Sequence, residues 1–385
     1  KWISGEKTPP FRTQLACTDG AGNPAGALEY FNRASNPDNG GVLRDRFAAF
    51  LDSRRPLSPS YHLQFSEALG NFAMYCARPI VDVFDGRLIY AGGDDVLALL
   101  PADTALACAR ALRMAFRGEA GLKAFLETSA SMLRERHDAE RRRDPAAAMV
   151  PHFQKRAADG QLLEAREPGF LRRLDQVDQD HREPIPLLVP GPEADCSVGI
   201  AMAHFKAPLQ DVVRAAQQAE KRAKRSEDAG GQGRSAVAVT LMKRSGEIIE
   251  WGAKWEGGGL QAHAALLAAL RSQVVSSKFP HRVIELVEAY KTTTTGLSGK
   301  TEPAPDFEKV VDAILEHDIG TAAQRQRGRN YSPDKVASIQ SALRSYMQSL
   351  PDSTTKVDAL IGLCQTVAFA SRTDATSESE PQGNA

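Results

Sequence analysis

The sequence has no excess of either charge: Lys plus Arg and Asp plus Glu both number 48, so the net charge is zero. This excludes attraction of nucleic acid through the overall field, and any polyanion must be held by local basic patches. There is no C-x-x-C pair, because the five cysteines (Cys17, Cys76, Cys108, Cys196, Cys364) lie far apart. That spacing argues against a cysteine zinc site and fits a reduced, cytoplasmic setting. No apolar run approaches the ~20 residues of a membrane span. The chain also starts without Met: it opens "KWISGEK", with no basic n-region and no signal peptide. It therefore reads as a piece of a longer protein that begins inside a domain. Its 385 residues suffice for two or three domains at roughly 100–200 residues each.

Residues 1–57 are rich in Gly, Pro, Asn and Arg and read as loop with short helices. Ser58-Pro59 looks like a cap followed by a first-turn proline. Phe65, Leu69, Phe72 and Cys76 then recur at helical spacing up to Pro79, which should end or kink the helix. "GRLIYA" reads as a strand, "GGDD" as a turn, and "VLALL" as the returning strand, buried on both faces because it has no polar alternation. Asp103 should cap the next helix, whose stripe is Ala105, Cys108/Ala109, Leu112 and Ala115/Phe116, with Gly118 closing it. Residues 119–195 break the rhythm with a charge run and a proline-rich stretch, and read as a partly helical surface insertion. "CSVGIAMAHF" then reads as a small-residue strand. The following helix has the stripe Leu209, Val212/Val213, Ala216, Ala219 and Ala223. "RSAVAVTLMKR" and "EIIEW" are further strands.

This order is most of a ferredoxin-like palm, β-α-β-β-α-β, with its first strand expected just before Lys1. Residues 260–276, 281–291, 305–317, 333–349 and 354–371 read as helices, with a linker at "TTTTGLSGKTEPAP". The expected fold is thus α+β: a palm over 1–256 carrying the insertion at 119–195, then a helical domain over 257–371. Residues 372–385 form a tail of disordered composition.

Gly92, Gly93, Asp94 and Asp95 pose the chemical question. Two adjacent carboxylates repel each other at a turn that needs only one turn residue. A divalent cation resolves this: Mg²⁺ takes hard oxygen ligands and leaves positions open for phosphate oxygens. The glycines let the backbone turn tightly and let a nucleotide come close. Two such metals activate a 3′-hydroxyl and stabilise leaving pyrophosphate. The plain alternative is a solvated Gly-Asp turn.

"GRLIYAGGDDVLALLPADTALACARALR", the preceding "SPSYHLQFSEALGNFA", the later "SVGIAMAHFKAPL" and the opening "KWISGEK" resemble one family. This is the large polymerase/cyclase-like subunit of type III CRISPR effector complexes, in its Cmr (III-B) branch, an antiviral defence system. The resemblance covers residues 1–256 apart from the insertion, and the helical remainder by position. It implies a GGDD palm that binds ATP with Mg²⁺ or Mn²⁺ at a two-metal site and makes cyclic oligoadenylate when target RNA is bound. It also implies a helical domain that contacts small subunits along the guide and target RNA. Asp94 and Asp95 match the family's metal-binding aspartates, and Gly92 and Gly93 its turn. "AEKRAK…GR" resembles the end of GGDEF nucleotide cyclases, where a lysine reaches the triphosphate. Lys224 matches it best, with Lys221 the competitor. Lys206 is a second phosphate candidate, and Ser197 could touch the base. Tyr61 and His62, at a helix start facing the hairpin, are weaker candidates. The isolated chain is expected to be inactive.

Other motifs weigh less. "GLSGKT" (Gly296 to Thr301) lacks the P-loop spacing, since Thr294 stands where the first glycine belongs. His137-Asp138 and His317-Asp318 are HD dipeptides without companion ligands and read as surface; the family's HD nuclease domain lies upstream. Arg141 to Arg143 and Arg325 to Arg329 read as solvated faces, the second worth testing for RNA or subunit contact. Two alternatives stay open: an architectural subunit whose palm only binds nucleotide, and a GTP-using diguanylate cyclase. The latter is disfavoured because Asp-Asp-Val, not Glu-Glu-Phe, follows the glycines.

Overall fold

The computed structural model describes residues 17–18, 24–25, 49–50, 52–143, 163–167, 169–177, 184–288, 307–350 and 353–371. Most of the loop expected over 1–57, the linker at 292–305 and the tail at 372–385 lie outside the described residues. The chain forms two compact units, Lys1–Asp195 and Cys196–Ala385. The domain boundary expected after residue 256 falls inside the second unit. Both units mix helices and strands, in keeping with the α+β reading.

In the first unit two short strands, β1 (Cys17–Thr18) and β2 (Pro24–Ala25), pair antiparallel. Helix α1 (Pro59–Asn71) starts as its sequence requires: the Ser58 hydroxyl oxygen accepts from the Tyr61 N–H at 3.2 Å, and Pro59 fills the first turn. Pro79 does not end the helix. A wide π turn over Phe72–Cys76 closes with Ala77 N–H donating to Phe72 O, and α2 (Ala77–Val83) continues through the proline. The wide turn opens the ladder just where the proline ring needs room and has no N–H to give.

The hairpin follows as β3 (Arg87–Gly92) and β4 (Asp95–Leu99). It is not buried on both faces. Leu88, Val96, Ala98 and Leu100 pack on the core, while Ile89, Tyr90 and Leu99 are exposed. A two-stranded ribbon laid on helices has only one face to bury, so a continuous apolar run leaves its other side open. Helix α3 (Ala105–Arg117) ends at Gly118 in the left-handed conformation, as its sequence requires. Asp103 does not cap it. Thr104 holds the cap position, and the Asp103 carboxylate is buried against Arg136.

Helix α4 (Leu122–Arg143) and the antiparallel meander β5 (Leu163–Glu167), β6 (Phe170–Val177) and β7 (Pro184–Leu188) occupy the stretch expected to be a surface insertion. They are part of the core instead. Leu122 and Leu126 of α4, with Leu163, Leu171 and Leu187 of the meander, pack with Ile80, Phe84, Cys108 and Ala115. The charge run masked this because only one stripe of α4 is apolar. Arg113 of α3, nearly buried, donates through Nε and Nη2 to both Asp195 carboxylate oxygens at 2.8 and 2.9 Å, which ties α3 to the end of the unit.

The second unit opens with β8 (Val198–Ala203), α5 (Leu209–Lys224) and β9 (Ala236–Met242), a parallel crossover, with β10 (Ile248–Lys254) antiparallel to β9. Helix α5 lies almost on the strand backbone. A Cβ on Gly199 would run into the Ala216 carbonyl and the Glu220 backbone. That contact makes Ala215, Ala219 and Ala223 the buried row, while Leu209, expected in the stripe, is exposed. Helices α6 (Gly259–Arg271), α7 (Phe279–Glu288), α8 (Phe307–Arg325), α9 (Pro333–Gln348) and α10 (Ser353–Ser371) follow where periodicity places helices, although α6 stops short of 276 and α8 runs on past 317. Trp251 of β10 joins them: its Nε1 donates to Tyr346 Oη at 3.1 Å, and that hydroxyl donates to Gly252 O at 3.1 Å. The hairpin and the β8–β9–β10 sheet are separate ladders among the described residues.

His263 stacks on Trp251 with ring centroids 5.4 Å apart. Burial, with Arg271 nearby, pushes its pKa down to about 4. Below its ordinary pKa of about 6.5 the unfolded chain takes up a proton that the native state refuses, so stability is complete above that pH and falls towards pH 4. Between pH 7 and pH 5 urea unfolding should lose about 2 kcal/mol from this group. A His263→Leu chain should lack that increment, and an unchanged pH slope would contradict the assignment.

Candidate functional site

The tip of the hairpin is built by its two glycines. Gly92 and Asp95 are paired across the ladder, so Gly93 and Asp94 form a two-residue turn. Gly93 has φ +61°, the glycine-first pattern of hairpin turns that follow the strand twist. Gly92 is required for a different reason. The Tyr90 ring folds along the strand over it, and a Cβ there would meet the Tyr90 hydroxyl and stand 2.7 Å from Cζ. The phenol oxygen therefore lies at the tip. Tyr90 was missed by sequence reasoning, although an aromatic residue two positions before a strand glycine, on the same face, is the signal for such a cover.

Asp94 and Asp95 are both exposed, and neither carboxylate has a hydrogen bond or ion pair to another described residue. They are two hard oxygen donors of the kind Mg²⁺ or Mn²⁺ takes, open on the solvent side. Among the described residues no group of three or more His, Cys, Asp or Glu side chains is placed to hold a metal. The donors fit a divalent cation in type and exposure. Phosphate oxygens, water or a carboxylate from outside the described residues would have to complete the coordination.

The remaining candidates lie in the second unit. Ser197 is half-buried just before β8, and Lys224 is the last residue of α5. Because Gly199 abuts Glu220, the Ser197 end of β8 and the Lys224 end of α5 share one end of the unit. Lys224 is ion-paired with Glu220 one turn earlier, whereas exposed Lys221 has no such partner among the described residues. Lys206 follows the other end of β8, its Nζ 5.6 Å from the centre of the exposed Phe205 ring, and is not brought together with Ser197 and Lys224.

Near the Lys224 end, Gly233, Arg234 and Ser235 are consecutive left-handed residues (φ 68°, 68° and 47°). Lys254 braces them, its Nζ 3.2 Å from Gly233 O and 3.0 Å from Glu227 Oε1. Arg222 reaches Glu250 Oε1 at 2.5 Å and Val239 O at 2.8 Å. Burial lowers its pKa, with Glu250 opposing the shift. Neither Lys254 nor Arg222 was legible as part of this end.

Tyr61 is not presented to a ligand. It is buried, stacked at 6.3 Å on Phe65, with the Arg55 guanidinium 5.4 Å from its ring centre. Burial raises its pKa, and Arg55 partly offsets this. His62 is exposed. His137, expected at the surface, is buried, with Nε2 2.8 Å from Asp85 Oδ2. "GLSGKT" lies outside the described residues.

Residues 41–137, which carry the hairpin, match the family described as Cas10/Cmr2, second palm domain. A stretch of 59 residues is 49% identical to the CRISPR system Cmr subunit Cmr2 of Pyrococcus furiosus, covering 15% of this chain and 7% of that protein. A stretch of 67 residues is 37% identical to the CRISPR system CMR subunit Cmr2 of Saccharolobus solfataricus, covering 17% of this chain and 6% of that protein.

The cover of Tyr90 over Gly92 makes a direct test. Gly92→Ala should cost about 1 kcal/mol in urea unfolding, the low end for forcing a methyl into a filled space, because the exposed Tyr90 ring can turn aside. Adding Tyr90→Ala should restore part of it. A Gly92→Ala chain as stable as the parent would show that the ring does not occupy that position.

Proposed function

We propose that the hairpin, within the residues 41–137 that match the Cas10/Cmr2 second palm domain, is the metal-bearing edge of a palm that makes cyclic oligoadenylate from ATP. The setting is a type III-B CRISPR ribonucleoprotein that has bound target RNA. The observation that carries this reading is the hairpin tip. Two adjacent carboxylates stand exposed and unpaired among the described residues, on a turn whose glycines leave the backbone open. Water alone would solvate two exposed carboxylates; set side by side on a turn with its backbone open to phosphate, they are also the hard-oxygen arrangement a divalent cation would use.

In this reading the 3′-oxygen of one ATP attacks the α-phosphorus of another, the bond to pyrophosphate breaks, and the hydroxyl proton leaves to solvent. Bound divalent cations would supply the acidity of that hydroxyl and the neutralisation of the leaving pyrophosphate. The chain's own share is positional. Asp94 and Asp95 offer the hard oxygens, and Gly92 and Gly93 admit the nucleotide. Lys224, released from Glu220, takes a phosphate oxygen as a point charge, and Ser197, at the same end of its unit, meets the base. Lys206 would act elsewhere.

The partners in this reading are the other subunits of the complex, with small subunits against the helices that follow β10, and guide and target RNA held through the assembly. Among the described residues no helix is long and apolar enough to cross a membrane, and the proposed place of work is the cytoplasm. A second reading, a nucleotide-binding scaffold without catalysis, draws on the absence of a third metal-ligating side chain beside Asp94 and Asp95 among the described residues.

Asp94→Asn/Asp95→Asn in the assembled complex should reduce metal-dependent ATP turnover about a hundredfold or more. Its unfolding free energy should stay within about 0.5 kcal/mol of the parent, because turn-tip carboxylates bury no apolar area. Oligoadenylate formed at the parent rate, resolved by chromatography, would show that Asp94 and Asp95 do not hold the catalytic metals, and a parent complex that forms none would leave the scaffold reading standing. Lys224→Ala should raise the KM for ATP and leave assembly intact. An unchanged KM would transfer the role to Lys221.

A further inference from the structure

The feet of the hairpin are gripped by a helix distant from it in sequence. Asp85 lies just before β3 and Asp103 just after β4. From α4, His137 places Nε2 2.8 Å from Asp85 Oδ2, and its neighbour Arg136 pairs through Nη1 with Asp103 Oδ2. The Asp103 side chain is 2% exposed and that of His137 6%, with Arg136 at 26% and Asp85 at 17%, so solvent reaches each contact from one side only; the His137–Asp85 contact lacks hydrogen-bond geometry and is one of packing unless His137 is protonated. Between the feet the Thr104 hydroxyl lies 3.0 Å from Phe84 O and 3.2 Å from Pro101 O, bridging the two chain segments.

The backbone of Asp85 gives independent support. It closes α2 with φ +57°, the left-handed position where glycine costs least. Glycine stands one residue later, at Gly86, where a Cβ would lie 2.6 Å from Val81 Cγ1. The chain thus puts a carboxylate where glycine would be easier, and that carboxylate faces His137.

We propose that α4 is the positioning element of the hairpin. Arg136 holds one foot through its ion pair with Asp103, and His137 packs against the other at Asp85, so that Asp94 and Asp95 are presented in one pose. The proposal rests on the reading of the tip as a metal-bearing edge. A two-stranded ribbon is marginal by itself, and this one has an exposed outer face, so its pose depends on its inner face and its feet. Arg136 and His137 touch no reacting atom; they are positioning residues.

Hydrogen exchange on the full chain tests the grip without any catalysis. In Arg136→Gln the amides of 87–99 should exchange about tenfold faster or more, while those of α3 and β6 stay within about twofold. Arg136→Lys should recover most of the protection. Asp103→Asn, which keeps the carboxylate's shape, should behave like Arg136→Gln and replaces it if that chain folds poorly. In the assembled complex, Arg136→Gln should lower kcat about tenfold and leave the KM for ATP unchanged. Unchanged exchange in the hairpin, faster exchange spread over the whole unit, or full kcat with a loosened hairpin would overturn the proposal. A hairpin loosened selectively, in a protein whose parent complex makes no oligoadenylate, would keep the grip and remove the catalytic reading.

Discussion

Two carboxylates side by side at the end of a two-stranded ribbon repel each other, and no described side chain neutralises them. Much of the first unit answers that constraint. The hairpin sinks one face into a core made by α1, α2, α3, α4 and the β5–β7 meander. One foot, Asp103, is buried against Arg136, the other packs on His137, and the turn is closed by a glycine that adopts the left-handed conformation without strain. The unfavourable charge sits where it costs least, exposed to water, while the structure beneath it is held on several sides.

The second unit is organised by nearness rather than by bulk. Gly199 and a row of alanines let α5 approach β8 backbone to backbone, where larger side chains would set a wider gap. The same approach sorts the candidate residues, with Ser197 and Lys224 at one end and Lys206 at the other. The left-handed run at Gly233, Arg234 and Ser235 ends the connection from α5 and leads directly into β9. Lys254 offsets part of its strain by donating to the Gly233 carbonyl.

Much of this was legible in advance where local rules act alone. The Ser58 cap, the closure at Gly118, the GGDD turn and the helices after β10 all follow from cap chemistry, turn chemistry and helical period. What stayed hidden depends on distant segments. Nothing near Asp103 indicates Arg136, so it looked like a cap. Nothing near His137 indicates Asp85, so it looked like surface. The stretch from 119 to 195 read as an insertion because charge outweighs its single apolar stripe, yet Leu122, Leu163 and Leu187 are core. At the tip, Asp94 and Asp95 were visible as chemistry, while Tyr90 was not, because its role comes from where its ring lies.

The π turn at Phe72–Cys76 carries one more consequence. Such a turn holds one residue more than the helix around it would need, so it acts as a phase shift in the helical register. Removing one residue there would let a regular helix run through. It would also swing α1 about its own axis by about 100°, one residue's worth of rotation. Tyr61 and Ala68, now inward, would turn away, and the exposed Leu63 and Met74 would be carried to new bearings. The side of α1 that meets solvent is thus set by a single residue of chain length well downstream of it, and relatives that differ by one residue in this stretch would present a different face of the same helix.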